Sequence, residues 1–144
     1  MTTYDDLPPY PMAFPGPLRD QLVAAVLSGA KTSTTGLLTA YRVEGEPLPE
    51  PGQRSALVDS DERPVAVLEI TDVRVLPLAE VDLQHALDEG EGYTSVAEWR
   101  SSHEGFWHGP EMRELLADPG FTVDDDTLVV AERFRVVEVV PAGG

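Results

Sequence analysis

The run Ser28-Gly29-Ala30-Lys31-Thr32-Ser33-Thr34-Thr35 holds the single lysine of this 144-residue chain; every other permanent cation is an arginine. A lysine amine, unlike a guanidinium, can have its pKa lowered until it works as a base. Lys31 is therefore the first candidate for chemistry, set against the plain alternative of a stray lysine at an exposed turn. Thr34 stands three residues on, a separation that places both side chains together in a helical turn but apart in a regular strand. If a turn brings them together, the amine can activate the hydroxyl as a nucleophile. Otherwise Thr32, Ser33, Thr34 and Thr35 only end a helix and begin a strand. The Gly29-x-Lys31-x-x-Thr34 string lacks the frame of a phosphate-binding P-loop and follows no strand.

Two glutamates fall in phase with apolar strand positions. Glu69 shares a period-two face with Val65, Val67, Thr71, Val73 and Val75, and Glu132 is in phase with Leu128, Val130, Phe134 and Val136. Burial there raises a carboxyl pKa unless a cation lies opposite. The common outcome is a structural pair with an arginine such as Arg54 or Arg74. Of the three histidines, His103 and His108 are five apart, the wrong spacing for two ligands on one helical face, and His85 lies among acidic residues. His103, next to Trp99 on the inner helical face, reads as a hydrogen-bonded core residue. Glu89 and Glu91 in the Glu89-Gly90-Glu91-Gly92 loop are candidates for a hard cation, with a solvated acidic turn as the simpler account. No metal site and no cofactor are expected.

The elements that must position these residues follow from pattern. Five prolines within the first 17 residues predict an arm over residues 1–13 that is extended rather than helical or sheet-paired, and that either covers a groove or frays. Residues 14–141 read as a single domain. Leu18–Ser28 has helical spacing and ends before Gly29. A short strand is expected around Leu37–Tyr41, then a loop. Gln53–Asp59 and Pro64–Leu76 read as strands joined by Ser60-Asp61-Glu62-Arg63. Leu78–Glu89 reads as a helix, and Ser95 with Glu98 forms a capping box that opens another running to Trp107. Glu111–Ala117 is a short helix, Asp118–Asp126 a loop, and Leu128–Val140 a long strand. The mixture lacks regular βαβ alternation and predicts a small α+β domain on a mostly antiparallel, closed sheet.

Composition sets the outer limits. An apolar fraction of 42% fits one folded domain, and the absence of cysteine excludes disulfides and thiolate chemistry. No leader or membrane span is apparent, so a cytoplasmic protein is expected. The net charge of −16 lies wholly on residues 44–144, because the first 43 balance three aspartates against Arg19, Lys31 and Arg42. Such a surface repels a long polyanion, so long duplex nucleic acid is excluded as a partner, as is a membrane. A nucleoside-sized molecule or a short single-stranded RNA, bound near the neutral N-terminal third, remains.

Taken together, Gly29-x-Lys31-x-x-Thr34, the strand Val67-Leu68-Glu69-Ile70-Thr71-Asp72-Val73 and the strand Val130-Ala131-Glu132-Arg133-Phe134 resemble an ASCH domain of the PUA-like superfamily. Glu89-Gly90-Glu91-Gly92 and Trp99-Arg100-x-x-His103-x-x-Phe106-Trp107 resemble one bacterial branch of it. The resemblance covers about residues 14–140 and implies a small β-barrel with helices around a cleft. It also implies RNA or nucleoside binding, with two hydrolytic activities known in the family. In one, amide hydrolysis of N4-acylated cytidine, the matching positions are Lys31, Thr34 and Glu69 as catalytic residues. Lys31 would deprotonate Thr34, Thr34 would attack the acyl carbonyl, and Glu69 would handle the proton of the leaving amine. The other is a ribonuclease acting on single-stranded RNA, which would admit a divalent metal such as Mg²⁺ or Mn²⁺. A third reading is a noncatalytic RNA- or nucleotide-binding module. Gly29, Tyr41, Glu89, Trp99, Arg100 and Glu132 are the expected substrate-binding residues, with Tyr41, Trp99 or Trp107 available to stack a base. The chain departs from the common pattern at Thr35 and Gly36, where many relatives carry a basic residue, and at Tyr93, where the branch often has Asp.

Overall fold

The computed structural model describes residues 6–140. Five strands form one sheet in the order β1-β3-β4-β5-β2. They are β1 (Pro9–Tyr10), β2 (Ser33–Leu37), β3 (Arg54–Val58), β4 (Pro64–Pro77) and β5 (Leu128–Val139). All neighbours run antiparallel except β1, which pairs with β3 in parallel. The helices are α1 (Pro17–Ser28), α2 (Leu38–Glu44), α3 (Leu83–Asp88), α4 (Val96–Trp107) and α5 (Pro110–Leu115), with a 3₁₀ turn at Leu78–Glu80. The fold is thus α+β, and β1 and β2 remain as edges of an unclosed sheet.

Local chemistry explains most of the boundaries. Pro17 opens α1, and Gly29 closes it in the left-handed conformation at φ 87°, as glycine at a helix C-terminus allows. Ser95 caps α4, accepting from the Glu98 N–H at 3.1 Å. Asp82 caps α3 by accepting from the His85 N–H at 2.9 Å. Val81 and Asp82 separate that helix from the 3₁₀ turn, so the single helix expected over Leu78–Glu89 is two shorter pieces. The strand expected at Leu37–Tyr41 is displaced: β2 occupies Ser33–Leu37, and residues 38–44 are helical. Pairing with Val129–Arg133 of β5 fixes β2 four residues earlier than its apolar pattern indicates.

Of the arm, residues 1–5 lie outside the described residues, and Pro9 and Tyr10 pair with Ala56 and Leu57 where no sheet pairing was expected. Proline is tolerated there since β1 is an edge. Arg19, 3% exposed, holds the arm down: its guanidinium donates to the carbonyls of Met12 (3.0 Å), Ala13 (2.9 Å) and Asp59 (3.1 Å) and pairs with Glu62 at 2.9 Å.

Each face of the sheet carries a core. Met12, Val23, Val26, Leu57, Ala66, Leu68, Ile70 and Phe134 pack on the α1 side. Leu37, Leu78, Ala86, Trp99, Trp107, Met112 and Val129 pack under α3, α4 and α5. Register irregularities at Val67/Leu68 and Ile70/Asp72 bend the β4–β5 pair. Tyr10 of β1 hydrogen-bonds Glu132 of β5 at 2.7 Å, although strands three places apart in a flat sheet stand about 14 Å apart. The sheet must therefore curl, and it does so around a cleft.

The α3 end is tied to β2 by Thr32 N–H to Asp88 O (2.8 Å) and Ser33 Oγ to His85 O (3.0 Å). Gly90 follows at φ 70°, where a Cβ would stand 2.3 Å from the Ala30 carbonyl oxygen and 2.7 Å from the Lys31 nitrogen. Both contacts are backbone, so neither can swing away. Gly90→Ala is expected to destabilise the protein by about 2 kcal/mol or more, measured by urea unfolding, whereas Gly105→Ala, where nothing lies within 4 Å, should not.

Candidate functional site

The cleft has a volume of about 470 Å³, within the usual size for a small-molecule site. Its walls come from the arm, β2, the start of α2, the loop after α3 and the inner face of α4. Lys31 lies at its base, 2% exposed. Its ammonium donates to the Glu89 carbonyl at 3.3 Å and lies 3.5 Å from both Glu89 Oε1 and Glu91 Oε2. Three donors thus meet three acceptors.

Glu89 is the most heavily engaged side chain of the site. Oε2 accepts from Trp99 Nε1–H and Thr35 Oγ1–H, each at 2.7 Å, and Oε1 from His103 Nε2–H at 3.1 Å. His85 Nε2 lies 2.7 Å from Thr35 Oγ1. Because Thr35 gives its hydrogen to Glu89, His85 Nε2 must donate to Thr35, and its buried Nδ1 has no hydrogen-bond partner among the described residues. Burial alone would push the Glu89 carboxyl up, but the His103 and His85 hydrogen bonds and the Lys31 charge hold it well below its usual value.

His103 is stacked on Trp99 at 4.4 Å. Its Nδ1 faces the Trp99 carbonyl at 2.8 Å and its Nε2 faces Glu89. Both nitrogens meet acceptors, the requirement of an imidazolium. Burial opposes that charge, yet the Glu89 hydrogen bond and charge raise the His103 pKa overall. Glu91 is pushed up by burial and by Glu89 against the opposing effect of Lys31. Oxygens of Glu89 and Glu91 and a nitrogen of His103 all lie within 4.8 Å of one another. That is a ligand-like cluster, but Lys31 already supplies its positive charge.

Thr34 lines the cleft, and its hydroxyl makes no hydrogen bond among the described residues. It is paired in register with Glu132, so the two side chains share one face of the sheet. Glu132, 2% exposed, accepts from Tyr10 at 2.7 Å and from Tyr41 at 2.5 Å. Burial raises its pKa against these two bonds. Burial and the neighbouring carboxylate push both phenols up as well.

The structure therefore brings Lys31, Thr34, Tyr41, Glu89 and Glu132 to one cleft. Glu69 lies elsewhere. It is paired in register with Arg54 on β3 and Arg135 on β5, and it takes hydrogen bonds from both, at 3.4 Å and 3.0 Å. Those bonds, led by Arg135, hold its carboxyl low. The ladder places it between two guanidiniums away from Lys31. Arg100 is likewise outside the cleft, bonded to Glu104 (2.8 Å) and Asp125 (2.5 Å). Trp99 is wholly buried behind Glu89, which it positions rather than lining the cleft, and Trp107 reaches the lining. Gly29 ends α1 and stays outside. The residues not anticipated in the site are Tyr10, Thr35, His85 and His103, the last expected only as a core residue, and Glu91 was considered only as a cation ligand. Two i,i+4 pairs, His85 with Glu89 and Trp99 with His103, carried a local signal for part of this network.

A curled, mixed sheet with a cleft beside its edge strand defines a PUA-like α+β domain. The family model described as ASCH domain matches residues 11–138, and the chain belongs to the ASCH domain family. An ASCH domain structure from Lactobacillus crispatus JV V101 is 28% identical, with a TM-score of 0.77, covering 94% of this chain and 82% of its own. A protein of Enterococcus faecalis V583 is also 28% identical with a TM-score of 0.77, covering 92% and 77%. A third structure, 16% identical with a TM-score of 0.54 over 82% and 93%, shares the fold alone. No curated protein matches the chain. Family membership supports RNA or nucleotide binding in general. No helix among the described residues is long and apolar enough to cross a membrane.

The His103 assignment has a measurable consequence. Its pKa is raised on folding from the ordinary 6.5, so its stabilising contribution is complete below that value and is lost as pH rises through the folded value. Between pH 6 and 9, wild type should lose more unfolding free energy in urea than His103→Gln; parallel losses would show that His103 is neutral.

Proposed function

We propose that the cleft binds a nucleoside-sized ligand and hydrolyses an amide on its base, with N4-acylated cytidine as the substrate class. The observation that carries the reading is the unbonded Thr34 hydroxyl in a cleft whose base is the buried Lys31 of the same motif. Among the described residues Lys31 is the only Lys or Arg lining that cleft, against Glu44, Glu46, Glu89, Glu91 and Glu132. A phosphate chain would meet mainly like charge, so an unphosphorylated ligand fits better than RNA. The aromatic rings of Tyr41, Phe14 and Phe106 in the lining give apolar surface for a base.

In this mechanism Lys31 passes a proton to a neighbouring carboxylate and, as the free amine, takes the Thr34 hydroxyl proton. Glu91, at 3.5 Å and pushed up by burial, is the better acceptor of the two. The Thr34 oxygen bonds to the acyl carbon, the carbon–nitrogen bond breaks, and the amine leaves with a proton returned from Lys31. Water then cleaves the acyl-threonine ester and regenerates the hydroxyl. Glu69 takes no part, because its carboxylate is held between two arginines; Glu89 fills the carboxylate position beside Lys31.

Lys31→Ala and Lys31→Arg should each lower kcat for cytidine release from N4-acetylcytidine by about 10³-fold, with cytidine binding retained in the arginine variant. Thr34→Ala should abolish the acyl-enzyme. Absence of nucleoside turnover by wild type, with Lys31-dependent cleavage of a labelled single-stranded RNA, would transfer the site to a ribonuclease. Inactivity in both assays would leave a binding module.

A further inference from the structure

Glu132 has an unusual position for a buried carboxylate. Among the described residues no Lys, Arg or His pairs with it, and its only side-chain partners are the phenols of Tyr10 and Tyr41. A buried carboxylate without a cation is costly and is ordinarily replaced or paired. Here it stands on the cleft wall, directly across the ladder from Thr34.

The direction of its hydrogen bonds decides what the wall can offer. Each phenol has one hydrogen, and both are given to Glu132. What Glu132, Tyr10 and Tyr41 retain is lone pairs, so this wall presents acceptors only. Thr34, beside Glu132 on the same face of the sheet, keeps an unbonded hydroxyl hydrogen to give, whereas the three donors of Lys31 are already taken. A ligand held between the two therefore places its carbonyl at Thr34 and its N–H at Glu132.

Resting on the nucleoside reading, we propose that Glu132, held by Tyr10 and Tyr41, determines specificity by accepting a hydrogen bond from the amide or amine N–H of the ligand's base. Through that bond it orients the acyl carbonyl over Thr34. It is a recognition residue and exchanges no proton in the reaction.

Calorimetric titration with cytidine and with the riboside of pyrimidin-2-one, which lacks the exocyclic amine, tests this without turnover. A charge-assisted hydrogen bond corresponds to a preference of about 10-fold or more for cytidine. Wild type should show that preference, and Glu132→Gln, which places an amide donor on the wall, should bring the two ribosides to within about threefold. Equal wild-type binding of both, or an undiminished preference in Glu132→Gln, overturns the inference while leaving the nucleoside site in place. Wild type that binds neither riboside overturns the nucleoside reading itself, and the inference with it. Should Glu132→Gln fail to fold, Tyr41→Phe keeps the carboxylate and removes one restraint. It should lower the preference about threefold, and an unchanged preference overturns the inference.

Discussion

The Glu89 carboxylate, withdrawn from water and held by groups from β2, α3 and α4 and by Lys31, two residues before β2, is the constraint on which the site depends. Removing an ionised carboxylate from water costs several kcal/mol, which only close hydrogen bonds and opposite charge offset. Trp99, Thr35, His103 and Lys31 supply both. The same contacts work in reverse: Trp99 and His103 are stacked because one carboxylate engages both rings, and Lys31 is fixed because that carboxylate and its backbone carbonyl accept from it. Gly90 is what lets the loop bearing Glu89 press against the Ala30–Lys31 peptide. Lysine suits this place better than arginine. Its three donors radiate from one atom toward three acceptors at 3.3 to 3.5 Å, a convergence that a flat guanidinium cannot match.

Acidity, which at the level of composition reads as mere solubility, takes on a local meaning in the cleft. Glutamates from α2, the loop after α3 and β5 share its lining with a single lysine and no arginine. Several arginines are engaged elsewhere. Arg54 and Arg135 flank Glu69, Arg133 pairs with Asp88 at 2.8 Å, and Arg19 fastens the arm. Each therefore serves the scaffold, and the cleft keeps one ammonium at its base with carboxylates around it. Such a field favours neutral or electron-poor ligands and disfavours phosphates.

Elements governed by local chemistry were legible in the sequence. Gly29 as a helix terminator, the Ser95 cap, the turn over residues 60–63 and the two outer ends of the long strands all follow from residue type at short range. Lys31, Glu89 and Glu132, each within a motif that carries the family resemblance, and Tyr41, expected from its aromatic ring alone, line one cleft. What was not legible is register. Glu69 shares a nominal face with valines, but it is cross-strand pairing with Arg54 and Arg135 that determines its neighbours. The fully buried residues of β4 are the alternate set, Ala66, Leu68 and Ile70, and the irregularity at Ile70/Asp72 breaks the simple alternation. The pairing of Pro9 and Tyr10 was not legible because proline argues against pairing in general, whereas an edge strand of two residues asks little of its N–H groups.

The arm shows how a remote interaction builds specificity. Tyr10 can reach Glu132 only because the sheet curls and because residues 8–10 lie down along β3, with Ala56 N–H donating to Pro8 O at 2.9 Å. Two ladder positions are too few to hold a proline-rich segment against its conformational entropy. The anchor is Arg19, whose buried guanidinium takes two successive arm carbonyls at Met12 and Ala13. Its third carbonyl and its acid lie in the β3–β4 turn, at Asp59 and Glu62. A single side chain of α1 therefore joins the arm to the hairpin on which it pairs. That junction sets one phenol of the pair on Glu132, while α2, entered directly from β2, sets the other. The acceptor wall is thus assembled from both edges of the sheet, and Thr34 stands at the point where those edges converge.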